Sequence, residues 1–225
     1  MNTQIRGARL KDLAEALHTS DAAGRLMHGA PRLHVLRTSD DQLVRGHADL
    51  AEDLVKRLVA LGRKPRGRPS KWSKDYAQYL AEVSSSGPVK AIRAGMIYGF
   101  PNSLSAADGV IEIGPENASL LEGGLDEWLP DVAGGVRMVA VKVGGRAVSL
   151  CASVNATSQF HCAGVETLPV FRGQGLGAQA VAGWATMVRG MGAEPIYGTT
   201  FDNLSSQAVA RRLGLIAVGS EISVY

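Results

Sequence analysis

A glycine-rich stretch that begins with a basic residue, Arg172 to Gly177, is the part of this sequence best suited to chemistry. An apolar run typical of a strand precedes it, and apolar residues at helical spacing follow it. A turn between a strand and a helix presents backbone N–H groups at the positive end of the helix dipole, and glycine lets a ligand approach closely. Arg172 adds a group suited to bidentate phosphate contact. The stretch therefore predicts a phosphate site, and a tightly packed connection is the alternative.

Two other phosphate-binding folds share part of this pattern. The string from Gly173 to Ala178 fits the dinucleotide fingerprint, but that fold places its turn near the start of a large parallel sheet. Here only about fifty residues follow, which is too few for such a sheet. A P-loop ends in Gly-Lys-Ser or Gly-Lys-Thr, which the sequence lacks. Neither fold is favoured.

Three blocks of the sequence resemble the GNAT acyltransferase superfamily. The turn fits its pattern (Arg or Gln)-x-x-Gly-x-(Gly or Ala) with Arg172, Gly175 and Gly177. Upstream, residues 165–171 look like the splayed central strand of the family. Downstream, a second block looks like its conserved Asn, Ser and Leu-Gly-aromatic positions (Asn203, Ser206, Leu213-Gly214-Leu215). The resemblance covers roughly residues 108–225.

The resemblance implies binding of acetyl-CoA as co-substrate. The pantetheine arm would pair with the central strand, the pyrophosphate would lie on the turn, and a backbone N–H near Leu168 would polarise the thioester carbonyl. A primary amine would attack directly, without a covalent enzyme intermediate. The implied cofactor-binding residues are Glu166, Thr167, Leu168, Arg172, Gly173, Gln174, Gly175, Leu176, Gly177, Ala178, Asn203 and Ser206.

The catalytic groups are less clear from the sequence than the cofactor turn. Many family members have a Tyr four residues after the Ser of the second block, which protonates the leaving thiolate, and here that position is Ala210. Tyr197 and Tyr225 are alternative donors by residue type alone. A base is needed because alkyl amines are mostly protonated at neutral pH. Glu166 and His161 are the candidates, and their spacing of five places them on opposite faces of an unbroken strand.

Two alternatives to an enzyme stay open. Without a Tyr at position 210, the protein could be a non-catalytic sensor that binds acyl-CoA. In addition, the segment Pro65–Pro69 reads Pro-Arg-Gly-Arg-Pro and resembles an AT-hook, in which Arg side chains enter the narrow minor groove of A·T-rich DNA. A single copy of this short core is weak support for DNA contact.

Composition limits the partners and the location. The chain has 225 residues, and a net charge of +3 is too small to indicate nucleic acid by itself. The first thirty residues resemble neither a signal peptide nor a membrane span. We therefore expect a cytoplasmic protein with no membrane partner and no metal. The resemblance implies an amine-bearing small molecule or peptide as acceptor, and it leaves a homodimer open. Cys151 and Cys162 have no metal-ligand spacing and are expected to be reduced and structural.

The hydrophobic pattern predicts an α/β protein, and the resemblance implies a GNAT-like mixed central sheet flanked by helices. We expect an N-terminal α/β extension over residues 1–108, which is a degenerate or acceptor-side subdomain, and an acyl-CoA-binding domain over 109–225. Within the extension, the spacing of apolar residues from Leu43 to Leu58 predicts one helix that ends near Gly62. A hairpin with its turn at 155–158 would place Cys151 opposite Cys162.

Overall fold

The computed structural model describes residues 10–39, 41–62, 74–104 and 108–225. In these ranges the α-helices are α1 (Leu10–Glu15), α2 (Glu52–Leu61), α3 (Lys74–Ser84), α4 (Leu129–Ala133), α5 (Leu176–Gly190) and α6 (Leu204–Arg212). Three 3₁₀ turns cover Pro115–Leu121, Asp126–Trp128 and Pro169–Phe171. None of the helices in the described part of the chain is long and apolar enough to cross a membrane.

The strands are β1 (Leu33–Arg37), β2 (Gln42–Gly46), β3 (Ile92–Gly99), β4 (Val110–Ile113), β5 (Met138–Val143), β6 (Arg146–Ala156), β7 (Phe160–Thr167), β8 (Glu194–Thr200) and β9 (Ile216–Val224). They form a mixed sheet in the order β2-β1-β9-β3-β8-β7-β6-β5-β4. The α/β class predicted from the sequence is confirmed.

Contacts divide the described residues into two compact units. The C-terminal unit holds residues 99–197 and 205–216, and the N-terminal unit holds the residues up to 98 together with 198–204 and 217–225. The domain boundary at 108/109 stays a prediction. The AT-hook-like segment Pro65–Pro69 lies outside the described residues.

The N-terminal unit buries one face of its strands against α2 and α3. Alternate residues of β1 and β9 point into this core, among them Val35 and Ile222, because side chains alternate across a strand. Leu58 of α2 and Tyr79 of α3 close the core and are almost fully buried. The opposite face of β1 and β9 therefore carries the other set of side chains, which includes His34 and Glu221.

The C-terminal unit covers both faces of its strands. Helix α5 packs on β5, β6 and β7, and its Trp184 is fully buried beside Phe100. The other face holds an apolar core built by the strands, the first 3₁₀ turn and α4, with Leu121, Val132 and Leu150 at its centre. Strand β7, which leads into the glycine turn, is therefore packed between α5 on one face and this apolar core on the other.

Most elements of the C-terminal half of the chain match the sequence-based prediction. The glycine pair between β5 and β6 forms the expected hairpin turn, with positive φ at both Gly144 and Gly145. Strand β7, the glycine turn and α5 follow one another as predicted, and β8, α6 and β9 follow in turn. The helix predicted from Leu43 to about Gly62 is confirmed in its second half, as α2 from Glu52 to Leu61, but its start is wrong, because residues 42–46 form β2 paired with β1. The ladder with β1 buries Val44 and overrides the helical spacing.

The prediction that Cys151 lies opposite Cys162 is also wrong. Cys151 pairs with Val165, and Cys162 pairs with Asn155. A register shift between Ser153 and Asn155 and a turn closed by Thr157 and Phe160 together displace the two strands. Both cysteines are buried free thiols.

Candidate functional site

Strand β7 is paired along its length on one side and only at its start on the other. On one side it forms an antiparallel ladder with β6 from His161 to Thr167. On the other side its parallel ladder with β8 covers the three pairs from Phe160–Glu194 to Cys162–Ile196. The second half of β7 therefore presents a strand edge to a ligand, as expected for the splayed strand.

The register identifies which backbone groups lie on this edge. The Leu168 N–H donates to the carbonyl of Val148 at 2.9 Å, so Leu168 faces β6. Backbone groups alternate in direction along a strand, which turns those of Val165 and Thr167 away from β6. The Thr167 carbonyl accepts a hydrogen bond from Arg172 Nε at 3.0 Å. The edge thus offers the N–H and carbonyl of Val165 and the N–H of Thr167, and Val165 was missed by sequence reasoning.

The glycine turn has the backbone shape of an anion cradle. Gly173 has φ +78° and Gly175 has φ +87°, a region that residues with a Cβ rarely adopt. Gly175 caps α5 at its N-terminus. The first backbone hydrogen bond of the helix runs from the Gln179 N–H to the Gly175 carbonyl. The N–H groups of residues 176–178 therefore come before the first hydrogen bond of the helix. These N–H groups lie at the N-terminal, positive end of the helix dipole.

A second arginine lies against this turn. A Cβ built on Gly175 would stand 2.7 Å from Cζ of Arg212, at the end of α6. Arg172 and Arg212 therefore bring two exposed guanidinium groups to one cradle. Sequence analysis missed Arg212, because only packing of α6 brings it next to a turn that lies far earlier in the chain.

Glu166 faces the side of the sheet opposite to α5. Its Oε2 accepts a hydrogen bond of 2.6 Å from Nε1 of Trp128, in the second 3₁₀ turn. The side chain is half-buried. The ring of Trp128 also lies near Gly164: a Cβ there would be at an ordinary contact distance of 3.5 Å from the indole, whereas it would collide with Cγ1 of Val154. Trp128 orients the carboxylate, and no local pattern in the sequence indicated this contact.

His161 lies on the α5 side of the sheet. Its Nδ1 is 2.8 Å from Oγ of Ser153, which also accepts a hydrogen bond of 3.0 Å from Nε1 of Trp184. Burial, with a smaller contribution from the charge of Arg137, lowers the pKa of His161 below its usual value. His161 belongs to the paired start of β7, whereas Glu166 belongs to its open end. The two candidate bases are on opposite faces, as their spacing predicted.

The position of the usual acid, Ala210, is buried. Tyr197 is almost fully buried, and its hydroxyl lies 2.7 Å from Oγ of Ser206. Burial raises the pKa of Tyr197 to about 12, well above that of a thiol. Proton transfer from Tyr197 to a thiolate would therefore be uphill. Tyr225 lies in the N-terminal unit, where its ring stacks below the guanidinium of Arg93.

Two candidate residues remain, Asn203 and Cys151. Asn203 belongs to the N-terminal unit, and its N–H donates to the Thr200 carbonyl at 3.2 Å. Its role with a cofactor stays a prediction. Burial raises the pKa of the Cys151 thiol well above its usual value, so this group is a poor nucleophile.

Comparison with known proteins supports the fold. No family model and no curated protein matches the sequence. Among solved structures, a GCN5-related N-acetyltransferase-like protein from Streptococcus suis superposes with a TM-score of 0.50 at 16% identity, over 87% of this chain and 85% of that chain. A putative GNAT-family acetyltransferase from Novosphingobium aromaticivorans superposes with a TM-score of 0.51 at 16% identity.

The second match covers 61% of this chain and 66% of that chain, just under two thirds of its length. The chain has the fold of the GNAT acetyltransferase superfamily.

Proposed function

We propose that the protein transfers an acetyl group from acetyl-CoA to a primary amine in a ternary complex. The observation that carries the proposal is the continuity of the open edge of β7 with the glycine turn. Both parts of an acyl-CoA, an extended amide-containing arm and a pyrophosphate, have a matching surface there. The matched GNAT structures support acetyl transfer at the level of the fold.

The turn fits a pyrophosphate on three grounds. Gly173 and Gly175 adopt positive φ without a side chain in the cradle, the N–H groups of residues 176–178 precede the helical ladder, and two arginines add positive charge. Arg172 is held by the Thr167 carbonyl through Nε, which leaves its terminal nitrogens for phosphate. Arg212 contacts the same turn.

The thioester belongs at Val165 rather than near Leu168. The Leu168 N–H is already bonded to Val148. With the pyrophosphate on the turn, the arm runs along β7 away from it, so Thr167 meets the arm first and Val165 meets its far end. A strand advances about 3.3 Å per residue, which places Val165 roughly 7 Å further along than Thr167. The Val165 N–H then polarises the thioester carbonyl.

Glu166 is the proposed base. It is adjacent to Val165 in the chain, whereas His161 lies four residues away, or roughly 13 Å along the strand. Glu166 accepts the proton that the acceptor ammonium group must lose before it can attack. The free amine nitrogen then bonds to the thioester carbon, a second proton leaves the nitrogen to solvent, and the C–S bond breaks to give the amide. The thiolate leaves and takes a proton from solvent, because the pKa of Tyr197 is too high for an efficient donor.

An acyl-CoA sensor is the second candidate, and the buried Ala210 in place of a phenol favours it. Binding is shared by both candidates, and turnover separates them. A cytoplasmic location and a homodimer remain proposals alongside either one.

Two measurements test the proposal in order. Calorimetry with CoA should give one binding site per chain, and absence of binding would contradict both candidates. Thiol release from acetyl-CoA with a panel of primary amines should then exceed the rate without acceptor. A Glu166→Gln variant should bind CoA normally and lose most amine-dependent release. Normal CoA binding without amine-dependent thiol release for any amine would favour the sensor over the enzyme.

A further inference from the structure

We propose that His18, His34 and Glu221 form a binding site for one divalent transition-metal ion of the zinc type in the N-terminal unit. One ring nitrogen of each histidine and one carboxylate oxygen lie within 4.8 Å of one another. Two imidazoles and a carboxylate are a ligand set that zinc accepts. This inference is independent of acyl transfer, because the three residues belong to the unit that does not carry the glycine turn.

The sheet brings two of the ligands together. In the antiparallel ladder between β1 and β9, His34 is paired with Ser223, and Glu221 is two residues from Ser223 on the same strand. Residues two apart share a face of a strand, so Glu221 and His34 project on the same side. Their closest atoms, Oε2 and Nε2, are 2.9 Å apart.

The third ligand comes from the segment after α1. The His18 ring meets the His34 ring edge-on, with centroids 4.6 Å apart. Its Nε2 lies 3.3 Å from Oγ of Ser223. His34 is almost fully buried, and the other two are half-buried. The cluster is thus enclosed by protein while a face remains open to a water ligand.

The separations are close to those of a metal-bound set. Zinc bonds of roughly 2.0–2.2 Å at tetrahedral angles place neighbouring ligand atoms roughly 3.3–3.6 Å apart. The pair from β1 and β9 needs to open by a few tenths of an ångström. The His18 side chain needs a larger movement, which its position after a short helix permits.

Two arginines lie near the cluster, and each contacts a group outside it, although Nη1 of Arg45 is buried without a hydrogen-bond partner among the described residues. Arg45 of β2, which is paired with His34, forms an ion pair of 2.8 Å with Glu15. Arg93 of β3 lies over the ring of Tyr225 at 5.1 Å. Glu221 therefore supplies the negative charge for the ion. With three protein ligands, the ion would join the segment after α1 to β1 and β9.

The test uses full-length protein without an affinity tag, after treatment with a chelator. Titration with Co²⁺ should give visible ligand-field absorption that saturates at one ion per chain, and Zn²⁺ should displace it. Glu221→Gln keeps the shape of the side chain but removes its charge. It should weaken Co²⁺ binding at least about 100-fold. That factor is the upper end of the loss of metal affinity that follows substitution of residues that only orient the ligands. His18→Gln should also abolish the absorption.

His28→Gln is the matched control, since His28 is exposed and outside the cluster. It should bind Co²⁺ like the wild type. Circular dichroism establishes that each variant is folded. The proposal is overturned if folded wild-type protein binds no ion at micromolar concentrations, or if His28→Gln loses as much affinity as Glu221→Gln. Should Glu221→Gln not fold, the His18→Gln result decides.

Discussion

Replacing Arg212 with alanine tests whether the glycine turn holds phosphate. The guanidinium lies against Gly175, where a Cβ would be 2.7 Å from Cζ. A hydrogen bond between charged groups contributes about 1.5–3 kcal/mol, and we take the lower end because Arg212 is exposed. Since about 1.4 kcal/mol is a tenfold change, Arg212→Ala should raise the Kd of CoA about tenfold.

Two glycine variants separate the arginine from backbone strain. Alanine at Gly173 or Gly175 adopts a positive φ, which costs roughly 1–2 kcal/mol of stability in either place. Only at Gly175 does the new Cβ collide with Arg212, because the space at Gly173 is open. The effects of Gly175→Ala and Arg212→Ala on CoA affinity should therefore overlap in the double variant. The effects of Gly173→Ala and Arg212→Ala on CoA affinity should instead be additive.

The assay is calorimetric titration with CoA, accompanied by turnover with acetylpantetheine, which lacks the phosphates. Arg212→Ala should leave acetylpantetheine turnover unchanged, and Arg211→Ala, on the exposed neighbouring residue, should leave both readouts unchanged. Equal losses of CoA affinity in Arg211→Ala and Arg212→Ala would refute the reasoning. The reasoning would also be refuted if Arg212→Ala lowered turnover with acetylpantetheine as much as it lowered turnover with acetyl-CoA.

Three further predictions concern orientation, ionisation and packing. Trp128→Phe removes the 2.6 Å hydrogen bond to Glu166 and should lower kcat about tenfold, with the Kd of CoA unchanged by calorimetry; a change in Kd alone would contradict an orienting role. Because burial raises the pKa of Tyr197 from 10.0 to about 12, the folded state keeps a proton that the unfolded chain loses. Stability should thus fall between pH 10 and 12 by up to about 3 kcal/mol in urea unfolding, and Tyr197→Phe should lack this decline. Gly95→Ala places a Cβ 2.2 Å from the Thr199 carbonyl oxygen, so urea unfolding should show a loss of at least about 1–3 kcal/mol, whereas Gly198→Ala, with its nearest neighbour at 3.4 Å, should be much milder.

The sequence was sufficient wherever the structure depends on neighbouring residues. The hairpin at Gly144-Gly145 and the turn from Arg172 to Gly177 follow from glycine's tolerance of positive φ. The start of α5 follows from the helical spacing after that turn. Short-range signals failed over residues 43–46, at the start of the predicted helix, because pairing of β2 with β1 decided the structure there.

The tertiary structure alone decided which distant side chains meet. Arg212 reaches Gly175, Trp128 holds Glu166, and the register with β6 selects Val165 over Leu168 as the exposed backbone donor. The cluster of two histidines and Glu221 likewise joins three separate elements. None of these contacts has a local signature, since each depends on strand register and helix packing between residues far apart in the chain. The sequence by itself determined a glycine turn at the start of a helix, because every group that shapes the backbone of that turn is adjacent in the chain.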